Sequence, residues 1–238
     1  MRVLLIADIH GNRAALEAID EPFDVCLCMG DLVEYGPNPK ACIRWVKEHA
    51  EATVRGNHDH GCVQDVEVYG ETGFRYLTMA TRKPTLNQLS RCDRRFLAEL
   101  PLTQLLTLDG KRFLLVHATP RDPLEEYTPS DPEMWKERLA GIKADFVCVG
   151  HTHQQFVLNA GRSTIINPGS VGLPRDGEPK CKYAIVENGE VQLKQIDYPI
   201  EETVKEVRAS NFPEKAKQML TQVYRAGRYI PVNAKVAG

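Results

Sequence analysis

Residues 145–153 read DFVCVGHTH: an apolar run, Phe146-Val147-Cys148-Val149, then Gly150 and two histidines, His151 and His153, that flank one threonine. In extended backbone, side chains two apart share a face, which would set the two imidazoles side by side. Two protonated rings would repel there, whereas two neutral rings suit a cation. The same plan recurs along the chain. VLLIA precedes Asp8, FDVCLCM precedes Gly30-Asp31, ATVR precedes Gly56-Asn57, RFLLV precedes His117, and STII precedes Asn167-Pro168-Gly169-Ser170. Runs this short and rich in Val, Ile and Leu suit strands buried on both faces.

Helical patterns lie between several of these runs. RAALEAID follows Asn12, a good N-cap, and PKACIRWVKEHA opens on Pro39, a first-turn residue. LNQLSRCDRRFLAEL, residues 86–100, spaces apolar residues every three to four positions and stops at Pro101, so it reads as one helix. Strands alternating with helices predict an α/β fold. Sites in such sheets form beyond the carboxyl ends of the strands. That is where Asp8, His10, Asp31, Asn57, His58, His117, His151 and His153 fall; of the seven histidines only His49 and His60 lie elsewhere. Further on, YAIVENGEVQLKQIDY predicts a hairpin turning at Asn188-Gly189. PEKAKQMLTQVYRAG predicts a helix with Pro213 in its first turn and Gly227 beyond its end, and with Ala216, Met219, Leu220 and Val223 as its packing stripe. The expected organisation is a main domain over 1–200 and a helical extension over 201–238 packed on it.

Thirty basic and 32 acidic residues give a net charge of −2, without the basic excess of a nucleic-acid binder. The apolar run in MRVLLIADIHGN ends at Asp8, too short for a secretory core or a membrane span. The chain therefore reads as cytoplasmic, with neither membrane nor nucleic acid as partner. Its seven cysteines show no CxxC pair, and Cys26, Cys28 and Cys148 sit in strand-like runs as small buried hydrophobes.

Oxygen and nitrogen donors without cysteine suit Mn, Fe or Zn better than a thiolate site. Two Asp, one Asn and four His exceed what one ion needs. Sharing them between two ions through one bridging carboxylate absorbs the excess, and two ions about 3.5–4 Å apart suit displacement at phosphorus.

Asp8-Ile9-His10, Gly30-Asp31, Gly56-Asn57-His58-Asp59, the isolated His117 and Gly150-His151-Thr152-His153 stand in the order of the calcineurin-like metallophosphoesterase superfamily, which the chain resembles. DIHGN, GDLVEYGPNP and NPGSVGLPR look most like its compact prokaryotic phosphodiesterase and diadenosine-tetraphosphatase-like branch. The resemblance covers about the first 200 residues. It implies a four-layer αββα sandwich of two mixed β-sheets with flanking helices. It also implies two metal ions, manganese favoured, and hydrolysis of a small phosphorylated substrate by a metal-bridging hydroxide. Position by position, it gives Asp8, His10 and His153 to one metal, Asn57, His117 and His151 to the other, and Asp31 to both. His58 would be the acid for the leaving oxygen, oriented by Glu34.

One position departs from the pattern. Where protein Ser/Thr phosphatases carry an arginine after the acidic residue, this chain has Tyr35. Arg55 and Arg175, each beside a motif, are the candidates to bind substrate in its place; a surface salt-bridge role stands equally for both. The same superfamily includes a metal-free interaction scaffold, a retromer subunit, but here every ligand position is filled, which favours an enzyme.

Overall fold

The apolar runs become strands in a computed structural model that describes residues 1–231. β1 (Arg2–Ile6), β2 (Val25–Cys28) and β3 (Ala50–Thr53) are parallel. β9 (Cys181–Glu187) and β10 (Glu190–Ile196) extend that sheet antiparallel, in the order β10-β9-β1-β2-β3. The second sheet runs β4-β5-β6-β8-β7, from β4 (Thr103–Leu108), β5 (Lys111–Val116), β6 (Phe146–Cys148), β8 (Ser163–Asn167) and β7 (Phe156–Ala160). Its β5, β6 and β8 are parallel, while β4 and β7 close the edges antiparallel.

Alternation along each strand makes the layers. Val3, Leu5, Leu27 and Ala52 of the first sheet meet Phe113, Leu115, Phe146 and Ile166 of the second in a shared core. Leu4, Ile6, Cys26 and Cys28 point the other way, onto α1 (Arg13–Glu17), α2 (Pro39–His49) and α5 (Arg91–Glu99). Val147 and Ile165 on the outer face of the second sheet pack with Trp135 of α6 (Pro132–Arg138). Two mixed sheets face to face with helices outside are the four-layer sandwich that the resemblance implied.

Asn12 caps α1 by accepting from the Ala15 N–H at 3.2 Å. Asn188 and Gly189 have φ of +52° and +84°, the left-handed pair a two-residue hairpin turn requires. Residues 86–100, in contrast, are not one helix. α4 (Gly73–Gln88) ends, Leu89 is extended, and Ser90 caps α5 in a reciprocal box, accepting from Asp93 N at 3.1 Å while the Asp93 carboxylate accepts from Ser90 N at 2.9 Å. A satisfied cap at Ser90 outcompetes a continuous helix whose apolar spacing spans the break. The segment 60–90 holds most of α3 (Asn57–Val63) and all of α4, with Pro84 inside the latter.

α7 (Ile200–Ala209) and α8 (Glu214–Ala226) follow the sheets. Ala216, Met219, Leu220 and Val223 are buried with Tyr35, Leu77 and Leu173. Of the expected extension over 201–238, residues 232–238 lie outside the described residues. Among the described residues, no helix is long and apolar enough to cross a membrane.

Candidate metal centre

The strands stop short of the ligands, and left-handed turns carry them in. Asp8, His10, Asp31, His151 and His153 have φ of +54°, +47°, +57°, +65° and +60°. Such backbone costs an L-residue about 1–2 kcal/mol, so surrounding bonds must impose it. β6 ends at Cys148, and DFVCVGHTH is therefore not extended through its histidines. The Asn167 side-chain amide donates to the Gly150 carbonyl at 2.7 Å and to Thr152 Oγ1 at 3.0 Å, holding the turn that brings both rings inward. Asn57 and His58 likewise open α3 rather than lying on extended backbone. The Asp59 carboxylate accepts from the backbone N–H groups of Asp31 (2.8 Å), Leu32 (2.9 Å) and Gly56 (3.1 Å), locking the turn after β2 to the start of α3. Gly56 is needed there, because a Cβ on it would stand 2.0 Å from Asp31 Oδ1.

These turns gather the seven expected ligands into one cluster, in which Asn57 is half-buried and the other six are buried. His10 Nε2 and His153 Nε2 are 3.2 Å apart, and His153 Nε2 lies 3.5 Å from Asp8 Oδ1. Asp31 Oδ2 is 3.3 Å from His117 Nε2 and 3.7 Å from His10 Nε2. His117 Nε2 is 3.1 Å from Asn57 Oδ1, and its ring centroid is 5.1 Å from that of His151.

The donor chemistry fits metal. His10, His117 and His153 each commit Nδ1 to a backbone carbonyl, of Val33 (3.1 Å), Met29 (2.7 Å) and Leu173 (2.5 Å). That fixes the orientation that turns Nε2 toward the cluster, and leaves its lone pair there whenever the ring is neutral, the usual support for a metal-binding histidine. Among the described residues, Asp8 Oδ2 and His151 Nε2 are buried and find no hydrogen-bond partner. Two facing imidazole nitrogens and two orphaned polar atoms are costly unless something cationic satisfies them.

Charge is divided unequally between the two carboxylates. Burial pushes Asp8 up to about 7, opposed by His117 and reinforced by Asp31. Burial also works to raise Asp31, but His117, His58 and His10 around it hold it well below the ordinary range. Burial pushes His10 and His153 well below the usual imidazole value, and His151 down to about 3. His117 goes the other way: burial opposes its charge, yet Asp31 beside it raises it to about 9.

His58 stands beside the cluster. Its Nδ1 is 2.5 Å from Glu34 Oε2 and its Nε2 is 4.0 Å from Asp31 Oδ2. The other Glu34 oxygen accepts from Arg82 Nε at 2.5 Å. The Tyr35 hydroxyl, 2.8 Å from Thr78 Oγ1, is 3.4 Å from His58 Nε2. His58, Asn57, Tyr35, Phe74, Tyr127 and Arg175 line a cavity of about 580 Å³. The two arginine candidates part company here. Arg55 turns to the Ala98 carbonyl at 3.4 Å, away from that cavity, whereas Arg175 lies over the Phe74 ring at 4.3 Å and donates to the Tyr127 hydroxyl at 3.1 Å.

Sequence reasoning missed Asp59, Arg82, Asn167 and Ser170 as supports. Ser170 Oγ donates to the Asp8 carbonyl at 2.8 Å and accepts from Leu173 N at 2.8 Å. Asp59 and the NPGS run were visible beside the ligands; Arg82, 48 residues from Glu34, carried no signal.

The profile of the calcineurin-like phosphoesterase superfamily domain matches residues 1–190. A metallophosphoesterase structure from Sphaerobacter thermophilus is 30% identical, with 95% of this chain and 99% of that one covered at a TM-score of 0.77. Phosphodiesterase YfcE of Escherichia coli K12 is 24% identical over 207 residues, covering 79% of this chain and 88% of that protein. An uncharacterized protein of Methanocaldococcus jannaschii is 27% identical over 242 residues, covering 89% and 94%. With strands, turns and donors arranged as described, the chain belongs to the calcineurin-like phosphoesterase superfamily.

Proposed function

We propose that the protein is a dinuclear-metal hydrolase of phosphate esters, acting as a phosphodiesterase or phosphatase on a small phosphorylated substrate. Asp8, His10 and His153 would hold one ion, and Asn57, His117 and His151 the other. Asp31 would be shared between them. The observation that carries this reading is the set of histidines whose Nδ1 atoms are committed to backbone carbonyls while their Nε2 atoms converge on Asp8 and Asp31. The ions, Mn, Fe or Zn with Mn favoured, supply when bound the charge that activates a water and neutralises phosphoryl oxygens.

The side chains around them supply the rest. His58, with Nδ1 tied to Glu34, offers Nε2 toward the cluster and donates its proton to the departing oxygen. Burial opposes the imidazolium, but the charges of Asp31 and Glu34 raise its affinity for that proton, as an acid requires. Arg175, held on Phe74 and Tyr127, gives the substrate phosphate a fixed planar donor in the role that Tyr35 cannot fill. Arg55 is set aside for this role because its guanidinium bonds to α5. A cavity of about 580 Å³ leaves room for an organic group beside the phosphate.

The test is hydrolysis by metal-loaded protein of an aryl monoester, an aryl diester and a dinucleoside tetraphosphate. Turnover of at least one, abolished by chelation and restored by Mn²⁺, is expected. Failure to bind metal, together with no turnover of any, would instead favour the metal-free scaffold reading.

A further inference from the structure

Lys182 on β9 is fully buried, with 0% of its side chain exposed, and its ammonium bonds to Asp176, which is one third exposed. Burying a lysine is expensive, and a buried ion pair is weak support for stability. The surroundings are nevertheless shaped for it. Gly169 of the Asn167-Pro168-Gly169-Ser170 run has φ of +79°, and a Cβ there would come within 3.0 Å of Lys182 Cβ and 3.3 Å of Cδ. The space beside the lysine stem therefore depends on that glycine.

Asp176 directly follows Arg175. The run from Asn167 to Arg175 braces the His151 turn, bonds to the Asp8 carbonyl through Ser170, accepts from His153 at Leu173, and then delivers Arg175 to the cavity. Beyond Asp176, Gly177 N donates to the Gly227 carbonyl at the end of α8, at 3.0 Å. Between Leu173 and Gly177, Asp176 is the side chain that ties this loop to a sheet.

We infer that the Lys182–Asp176 pair is a positioning device for Arg175: it sets the backbone of the arm so that the guanidinium meets the substrate phosphate over Phe74. This rests on the proposed role of Arg175 as the phosphate donor. A charge pair whose lysine is buried serves this purpose better than an apolar contact because the ammonium has one satisfied geometry, and small displacements of a positioning group are costly.

The test compares Arg175→Ala, Lys182→Met and the double variant in metal-loaded protein, reading KM, kcat and the inhibition constant for inorganic phosphate. Methionine keeps the length of the stem, and Asp176 is free to turn to water, so Lys182→Met is expected to hold its Tm and metal content. It should still raise KM and the phosphate inhibition constant by about tenfold or more, with kcat less affected. In the Arg175→Ala background it should add nothing. Unchanged KM and phosphate inhibition for Lys182→Met, beside a clear effect of Arg175→Ala, would overturn the inference. So would a fall in Tm or metal content with KM unchanged, which marks plain scaffolding. No effect of Arg175→Ala would overturn the assignment of Arg175 itself, and this inference with it. Should Lys182→Met fail to fold, Lys182→Met combined with Asp176→Leu removes both charges and is read the same way.

Discussion

His117 Nε2 lies 3.3 Å from Asp31 Oδ2 while its Nδ1 is fixed on the Met29 carbonyl at 2.7 Å. The imidazole is thus held as a cation against the carboxylate proposed to be shared between two ions, and it protonates with a value near 9. A metal would take the place of that proton.

Metal loading should therefore release protons. Below about pH 9 the metal-free protein holds a proton on His117 that must leave, and below about 7 one on Asp8 as well, so affinity should rise with pH, by up to about tenfold per unit for each displaced proton, and level off near 9. Titration calorimetry in buffers of different ionisation enthalpy measures the release. A pH-independent affinity between 6 and 8 would contradict it.

Asp31→Asn should lower metal content from two equivalents toward one, because Asp31 faces both His10 and His117. Metal analysis of loaded and desalted protein reads this directly. Two ions retained at full affinity would remove Asp31 from the bridging role.

His58→Ala should slow hydrolysis of esters with poor, high-pKa leaving groups by about 10²–10⁴-fold. p-Nitrophenyl esters should suffer much less, since p-nitrophenolate leaves with little proton assistance. Metal content should be nearly unchanged. Equal losses on both substrate types would make His58 a positioning group, and loss of metal would make it a ligand or a loop anchor.

Asp59→Ala would strip acceptors from three backbone N–H groups, of Asp31, Leu32 and Gly56. A destabilisation of about 3 kcal/mol is expected from donors left unmade in the interior. Chemical denaturation of the metal-free variant measures it, and a change below about 1 kcal/mol would show that water replaces the carboxylate.

Much of this protein was written locally. Six apolar runs became buried strands because short Val, Ile and Leu stretches satisfy a sheet covered on both faces, and the polar residues after them reached its carboxyl edge. The edge strands β4 and β7 left no such run, since their residues alternate between exposed and partly buried positions. The break between α4 and α5 was hidden for another reason: apolar spacing continued across Ser90 while a cap interrupted the backbone.

The identity of the clustered residues was legible from their places after the strand-like runs and from the family resemblance, but their directions were not. Five of them arrive through left-handed turns that extended-chain reasoning misplaces, imposed by Asn167, Ser170 and Asp59 from other segments. Arg55 and Arg175 were equal by sequence position and separated only when α5 offered one a carbonyl and Phe74 offered the other a ring. Sequence determines which groups a turn carries. Where each points depends on partners tens of residues away, brought near only when the two sheets and their helices close on a common core.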